Sequence, residues 1–267
     1  MAPRRYLEAV PEYGRPLIEA PGLLRVVARN PGPMTYHGTN TWLVEGKGGW
    51  IVIDPGPDDP YHRQAVLDVC DGRIGAILVT HAHEDHDGGS VALSHMADAP
   101  LHGGRFGTPL TDGAVLHGVQ VIDTPGHTMD HACFDLGNGC LLAGDHIMGW
   151  STSVVMRAPH GSMAAYLESL MKVRSGEYGR IFGAHGPAVT EPDSFIDGLL
   201  SARRRKIEQM HALLTTEWQT DMALAVRLYP DLANALRPAA TEMTVAMLEQ
   251  AEAAGRVVRG PEGWKIS

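Results

Sequence analysis

The sequence predicts a sandwich of the α/β or α+β kind built on a mixed sheet, with a small helical module behind it. Three observations predict it. Residues 23–121 alternate short apolar or β-branched runs with turns rich in glycine, proline and histidine, the pattern of strands packed against helices. Residues 131–135 and 140–143 follow one another across Gly137-Asn138-Gly139 as a hairpin, so strand follows strand as well as helix. After Gly186-Pro187 the pattern turns helical.

Taken in order, strands are expected over residues 24–29, 41–44, 50–54, 76–80, 120–123, 131–135, 140–143 and 180–182, each a short apolar or β-branched run. Helices are expected over 60–69, 90–97 and 162–173. The last carries Leu167, Leu170 and Met171 along one face, with Ser162 as its N-cap. A long helical stretch over 195–217 contains Arg203-Arg204-Arg205-Lys206, and two more follow over 220–228 and 241–254, stopped by Gly255. Residues 256–266 read as two short strands around a tight turn. Three helices and a hairpin make a winged-helix-like module, which divides the chain into residues 1–200 and 201–267.

With 267 residues, 44% hydrophobic and 20% charged, the chain can bury a substantial core. Its formal charge of -9 argues against a broadly basic nucleic-acid surface. Residues 201–267 hold nine Lys/Arg against eight Asp/Glu, too balanced for a DNA reader. The expected roles of the module are to cover the first domain, shape a pocket rim or pair two copies into a homodimer, and the basic run is expected to be a solvated helix face. Residues 1–20 mix Arg4, Arg5, Glu8, Glu12 and Arg15 with prolines, so no secretory signal is read there, and no stretch is apolar enough to span a bilayer. A cytoplasmic location is the resulting expectation. Cys70, Cys133 and Cys140 are scattered in apolar surroundings, which suits buried, reduced thiols.

The chemistry is concentrated in Thr80-His81-Ala82-His83-Glu84-Asp85-His86-Asp87-Gly88-Gly89. Four potential ligands fall within six residues where an apolar strand ends, and the loop that follows can turn each side chain to a common point. Imidazole and carboxylate suit zinc, and Gly88 and Gly89 allow close packing where the next helix begins. Three more ligand types recur beside glycine at strand ends: His127 in Gly126-His127-Thr128, Asp145 in Gly144-Asp145-His146, and His185 in Ala184-His185-Gly186. Polar residues there are poorly placed for core packing and well placed for a shared site.

H-x-H-x-D-H, Gly-His-Thr, Gly-Asp and a late His-Gly together resemble the metallo-β-lactamase superfamily. The resemblance implies an α+β fold, a four-layer αββα sandwich with its metals at one edge. It further implies that His81, His83 and His127 bind one metal, that Asp85, His86 and His185 bind a second, and that Asp145 bridges them. Residues 30–44, from Asn30-Pro31-Gly32-Pro33, and Ile53-Asp54-Pro55-Gly56 resemble the branch typified by β-lactamase-like protein 2, which includes an endoribonuclease. The segment His146-Ile147-Met148-Gly149-Trp150-Ser151-Thr152 departs from that branch, so ribonuclease activity does not transfer with the likeness.

The expected enzyme is a hydrolase with two zinc ions about 3.5 to 4 Å apart, using a bridging hydroxide on a small ester, thioester, lactone or lactam. Asp85 is the expected proton acceptor as well as a ligand. Asp54 is expected to support the ligands, His146 to lie behind them or on the substrate side, and Tyr36, His37, Trp150 and Ser151 to line the pocket. His160, beside Gly161, is a candidate lid residue. The other histidines, His62, His95, His102, His117, His131 and His211, read as surface or core. The alternatives are a phosphodiesterase or endoribonuclease, and a mononuclear iron dioxygenase. A diiron redox protein is disfavoured because position 83 is histidine rather than glutamate, and classical periplasmic lactamase action because no export signal is read.

Overall fold

The computed structural model describes residues 8–267; residues 1–7, with the Arg4 and Arg5 of the N-terminal reading, lie outside the described residues. The first sheet runs β1 (Pro16–Ala20), β2 (Leu23–Val27), β3 (Asn40–Gly46), β4 (Gly49–Ile53), β5 (Ile74–Val79) and β6 (Leu101–Gly103) in that spatial order. It is antiparallel through β4 and parallel from β4 to β6. Its crossovers carry α1 (Pro60–Val69), the single turn α2 (Glu84–Asp87) and α3 (Ser90–Ala97). The second sheet orders β7 (Val115–Leu116), β8 (Val119–Asp123), β9 (Ala132–Asp135), β10 (Cys140–Gly144) and β11 (Arg180–Gly183). There β10 and β11 are parallel, joined through α4 (Met163–Arg174), and the mixed sheet is present as expected.

Alternation along the strands separates the layers. Trp42, Ile51, Ile53 and Leu78 of the first sheet meet Val121, Phe134, Leu142 and Phe182 of the second in the core between them. Their sequence neighbours Leu43, Val52, Ile77 and Val79 point the other way, onto Val66 of α1, Cys70 at its end and Leu93 of α3. On the far side, Leu141, Ala143 and Ile181 pack on Tyr166 and Leu170 of α4. Four layers, helix, sheet, sheet and helix, result.

The C-terminal residues form α5 (Pro192–Leu213), α6 (Asp221–Leu228), α7 (Arg237–Ala253) and a hairpin of β12 (Val257–Gly260) and β13 (Gly263–Ile266). Helix α5 runs through position 200 without a break. Leu199, Met247 and Trp264 share one apolar cluster with the outer helix layer, so the module is cemented to the sandwich.

The N-caps are where the side-chain chemistry puts them: Ser162 accepts from Ala165 N at 3.3 Å, and Thr220 from Ala223 N at 3.3 Å. Gly255, at φ 68, follows α7. The strands that the patterning does not reveal are β1, β6 and β7. β1 is an edge strand with Ile18 83% exposed, and the other two have three and two residues, too short for any periodicity. All three cysteines are buried and free.

One buried histidine braces the site from behind. Thr41 Oγ1 donates to Asp54 O at 2.7 Å and accepts from His62 Nε2 at 2.7 Å. Burial pushes the His62 pKa down to about 4 against an opposing pull from Asp59. The unfolded chain therefore takes up a proton that the folded one resists. Stability is therefore undiminished by this group above pH 6.5 and falls as pH drops toward about 4, by on the order of 3 kcal/mol across the window. Denaturant melts of the wild type and His62→Gln at stepped pH should show that the variant lacks this part of the acid sensitivity; parallel pH profiles would remove it.

Candidate metal centre

The parallel strands deliver their C-terminal ends to one edge, and the seven ligand-type side chains meet there. His81 follows β5 after Thr80. Asp85 and His86 lie on α2, one helical turn rather than the open loop expected. His127 follows β8, Asp145 follows β10 and His185 follows β11. Close approach makes two glycines obligatory. A Cβ on Gly126, at φ 144, would stand 2.3 Å from Tyr166 Cα, and one on Gly144, at φ 49, would stand 2.7 Å from His131 Nε2. Each immediately precedes a ligand-type residue.

The seven form two groups, His81, His83, His127 and Asp145 in one and Asp85, His86 and His185 in the other, with candidate ligand atoms inside each group within 4.8 Å of one another. In the first, His81 Nε2, His83 Nδ1 and His127 Nε2 are separated by 2.9, 3.1 and 3.2 Å. Asp145 joins the groups. Its Oδ2 lies 3.6 Å from His127 Nε2, while its Oδ1 lies 3.3 Å from His185 Nε2 and 3.6 Å from His86 Nε2. Asp85 Oδ2 completes the second group at 3.4 Å from His185 Nε2 and 3.7 Å from His86 Nε2.

Neighbouring groups fix which ring nitrogen carries hydrogen. His86 Nδ1 donates to Asp54 Oδ2 at 2.8 Å. His127 Nδ1 donates to Val154 O, and His185 Nδ1 to Gly38 O at 3.3 Å. Thr80 gives its hydroxyl proton to Asp54 Oδ2 at 2.8 Å, so its oxygen accepts from His81 Nδ1 at 3.0 Å. The Nε2 lone pairs of His81 and His127 then face each other, and buried His86 Nε2 and Asp145 Oδ1 have no hydrogen-bond partner. Converging lone pairs and carboxylates repel unless a cation sits among them. Nitrogens bound at about 2.0 to 2.1 Å to one tetrahedral zinc would be separated by about 3.3 Å, close to what is seen. The donor set fits metal ions.

Charge follows the same division. Burial, reinforced by neighbouring imidazoles, holds His81 well below its ordinary pKa, and burial with His127 pushes His83 down to about 4, so both are in the neutral, ligating form. Burial also lowers His86, but Asp85, Asp54 and Asp145 outweigh it and push its pKa up to about 10. Asp85 is held below the carboxylate range by His86 and His185 against the opposing effect of burial. The second group attracts positive charge.

Support reaches deeper than the ligands. Asp54, buried and at φ 51, receives Thr80 N at 2.7 Å as well as the Thr80 hydroxyl and His86. Asp is among the few side chains at ease in that conformation. His131 lies beneath, bonded to Thr124 Oγ1 at 2.9 Å and accepting from Asp145 N at 3.2 Å. Sequence reasoning left it among the core histidines, and its spacing carries no signal of this contact.

The basic run departs from expectation. Arg204 and Arg205 are exposed, but Arg203 is 4% exposed, with its guanidinium 5.3 Å over the Tyr166 ring and Nη2 donating to Ser153 O. Helix α5 turns that position inward, onto the segment whose Val154 carbonyl holds His127. Lys206 lies over the Tyr229 ring at 4.8 Å. The run is thus a solvated face only in part.

A cavity of about 390 Å³ opens over the centre, with His83, Asp85, His127 and Asp145 as its floor. Trp150 and Ser151 line it, as do Tyr229, Leu232, Leu236 and Met243 from the C-terminal module. Tyr36 and His37 stand behind that wall, with the Tyr36 ring 5.0 Å from Trp150 and 4.1 Å from His37. His146 is buried against Tyr166, 5.1 Å between rings, and burial pushes its pKa down to about 3. His160 is exposed in the turn before α4 and does not line the cavity. The C-terminal lining residues were not singled out from sequence, where they read as ordinary apolar helix positions. A larger hollow of about 920 Å³, lined by Gly46, Gly48, Gly49 and Gly118 among others, lies away from the centre and contains none of its residues.

Residues 34–111 match the model of the metallo-β-lactamase superfamily. Over 218 residues the chain is 31% identical to a β-lactamase-like protein 2 homolog of Drosophila melanogaster, covering 70% of this chain and 72% of that one. It is 27% identical over 220 residues to an atrochrysone carboxyl ACP thioesterase of a Cryptosporiopsis species, covering 77% and 67%. Among solved structures, a β-lactamase domain protein from Burkholderia ambifaria superposes with a TM-score of 0.84 at 19% identity over 98% of this chain and 96% of that one, a likeness of fold. A protein solved in a di-iron-bound form superposes with a TM-score of 0.54 at 28% identity over 67% and 96%.

Proposed function

The chain belongs to the metallo-β-lactamase superfamily and is an enzyme of its hydrolase type; from that premise we propose that it hydrolyses small acyl compounds, thioesters and esters first, lactones and lactams next, with two zinc ions. The observation that carries the reading is Asp145, which offers one carboxylate oxygen to each group of ligands. On this reading His81, His83, His127 and Asp145 would hold one ion, and Asp85, His86 and His185, with Asp145 shared, would hold the other. Ions held there would bring the pKa of water toward neutrality and withdraw charge from a substrate oxygen.

The side chains do the positioning. Asp54 and Thr80 fix the rings of His86 and His81, and the Val154 carbonyl fixes His127. Asp85, on the cavity floor, turns Oδ2 to His86 and His185, and its other carboxylate oxygen takes up the proton of the attacking water and returns it to the leaving group. For a thioester the acyl C–S bond breaks, a C–O bond to water forms, and a carboxylic acid and a thiol leave. Three histidine nitrogens in the first group favour zinc, and the thioesterase name of one relative favours acyl substrates. Residues 201–267, taken as a unit of winged-helix type, serve as the cavity wall rather than as a nucleic-acid reader, because Arg203 is turned inward.

Elemental analysis of the purified protein should find two zinc ions per chain. A panel of thioester, ester, lactone and lactam substrates should be turned over in preference to bis-p-nitrophenyl phosphate and short RNA. Iron with no hydrolysis of any of them would overturn the reading, and RNA cleavage alone would replace it with a ribonuclease.

A further inference from the structure

The cavity over the centre has two unlike surfaces. Its floor is polar and holds the carboxylates of Asp85 and Asp145. Above the floor the lining is mostly apolar, with Met148, Trp150, Val154, Tyr229, Leu236 and Met243 beside the polar Ser151, Thr152 and Glu242. Its volume, about 390 Å³, falls within the roughly 300–1,000 Å³ of small-molecule sites.

Charge narrows the occupant further. Among the described residues that line it there is no lysine or arginine. Glu242 reaches the wall, but Arg157 already engages it, at 2.8 Å from Nη2 and 2.9 Å from Nε. A substrate carrying a carboxylate or phosphate on the part that enters the chamber would find no cationic side chain to receive it and would lose its hydration among methionines and leucines. An apolar group gains by entering.

We propose that the chamber takes a neutral, apolar acyl group, and that Leu232, Leu236, Ala239 and Met243 of the C-terminal module set how long that group can be. The proposal rests on the hydrolase reading above and gives the module a role in specificity. The acyl carbon would lie at the floor beside Asp85 and Asp145, the chain would extend toward α7, and the leaving group would stay near Met34, a lining residue 43% exposed.

Two measurements test it on the protein as purified. Along straight-chain N-acetylcysteamine thioesters from acetyl to octanoyl, kcat/KM should rise about three- to fourfold per methylene until the chamber is full. In Ala239→Trp, which adds bulk to the cavity lining, the octanoyl-to-acetyl ratio of kcat/KM should fall by about tenfold or more. Binding is read separately by displacement of Nile red, a neutral apolar fluorophore, with straight-chain amides of the same lengths. Octanamide should displace it and acetamide should not, and Ala239→Trp should weaken the octanamide competition. Hydrolysis with no dependence on chain length would overturn the chamber while leaving the hydrolase reading intact. Length-dependent displacement by amides without any hydrolysis would do the reverse. Preference for a carboxylate-bearing chain, or an unchanged length profile in Ala239→Trp, would also overturn the proposal.

Discussion

Asp145→Asn is expected to lower hydrolysis by on the order of 10³-fold or more, since changes to groups that merely support ligands already cost about 10- to 100-fold. The substitution keeps shape and volume, so the fold should persist. It removes the one charge shared by both groups: Oδ2 faces His127 and Oδ1 faces His86 and His185. Without it the first group retains three neutral imidazoles and the second retains Asp85 alone as an anion. Metal content should therefore fall from two ions to one or fewer per chain, with the loss falling first on the second group. Elemental analysis after dialysis and kcat/KM on a thioester check both parts. Full metal content together with wild-type turnover would take Asp145 out of the centre.

The ligand-type residues were legible because chemistry and backbone grammar coincide at them. An imidazole or carboxylate next to glycine at the end of an apolar run has no packing purpose, and that signal survives without coordinates. Asp54 was legible for the same reason, following β4 just before Pro55-Gly56. The four layers were expected from the family resemblance, because a continuously apolar run such as Ile51-Val52-Ile53 hides its two faces, and only the folded strand shows Ile51 and Ile53 on one side and Val52 on the other. What stayed hidden depends on contacts between residues remote in sequence. Met243 lines the cavity because α7 packs over the loop holding Ser151 and Val154, and nothing in the composition of α7 distinguishes that face from ordinary core. His131 and Asp145 meet through a backbone N–H, which leaves no trace in residue type. Tyr36 and His37, expected to line the pocket, stand instead behind Trp150, since the aromatic wall has a front and a back. His160 went astray because proximity to a glycine turn indicates a loop without indicating which way the loop faces.

Arg203 is where such a remote contact carries the largest consequence. A buried guanidinium with no carboxylate beside it is costly to keep, yet it is held by Ser153 O, by the Tyr166 ring at 5.3 Å and by Met243 Sδ at 3.9 Å. Ser153 and Val154 also meet His127: Ser153 Oγ lies 3.3 Å from its Nδ1, and Val154 O accepts from that nitrogen. Arg203 thus positions His127 at one remove. In Arg203→Met the stem and its packing remain while the donor is lost. Relief of the buried charge opposes the cost of about 1–3 kcal/mol for leaving Ser153 O unpaired, so net stability should change by no more than that. Metal affinity and kcat/KM should each fall about 10- to 100-fold, as when other supports of ligating histidines are removed. Arg203→Lys, which keeps a charged donor, should recover part of the loss. Competition with a chromophoric chelator on folded protein separates this from simple destabilisation: a variant that melts earlier but binds metal as tightly as the wild type would make Arg203 a packing residue only.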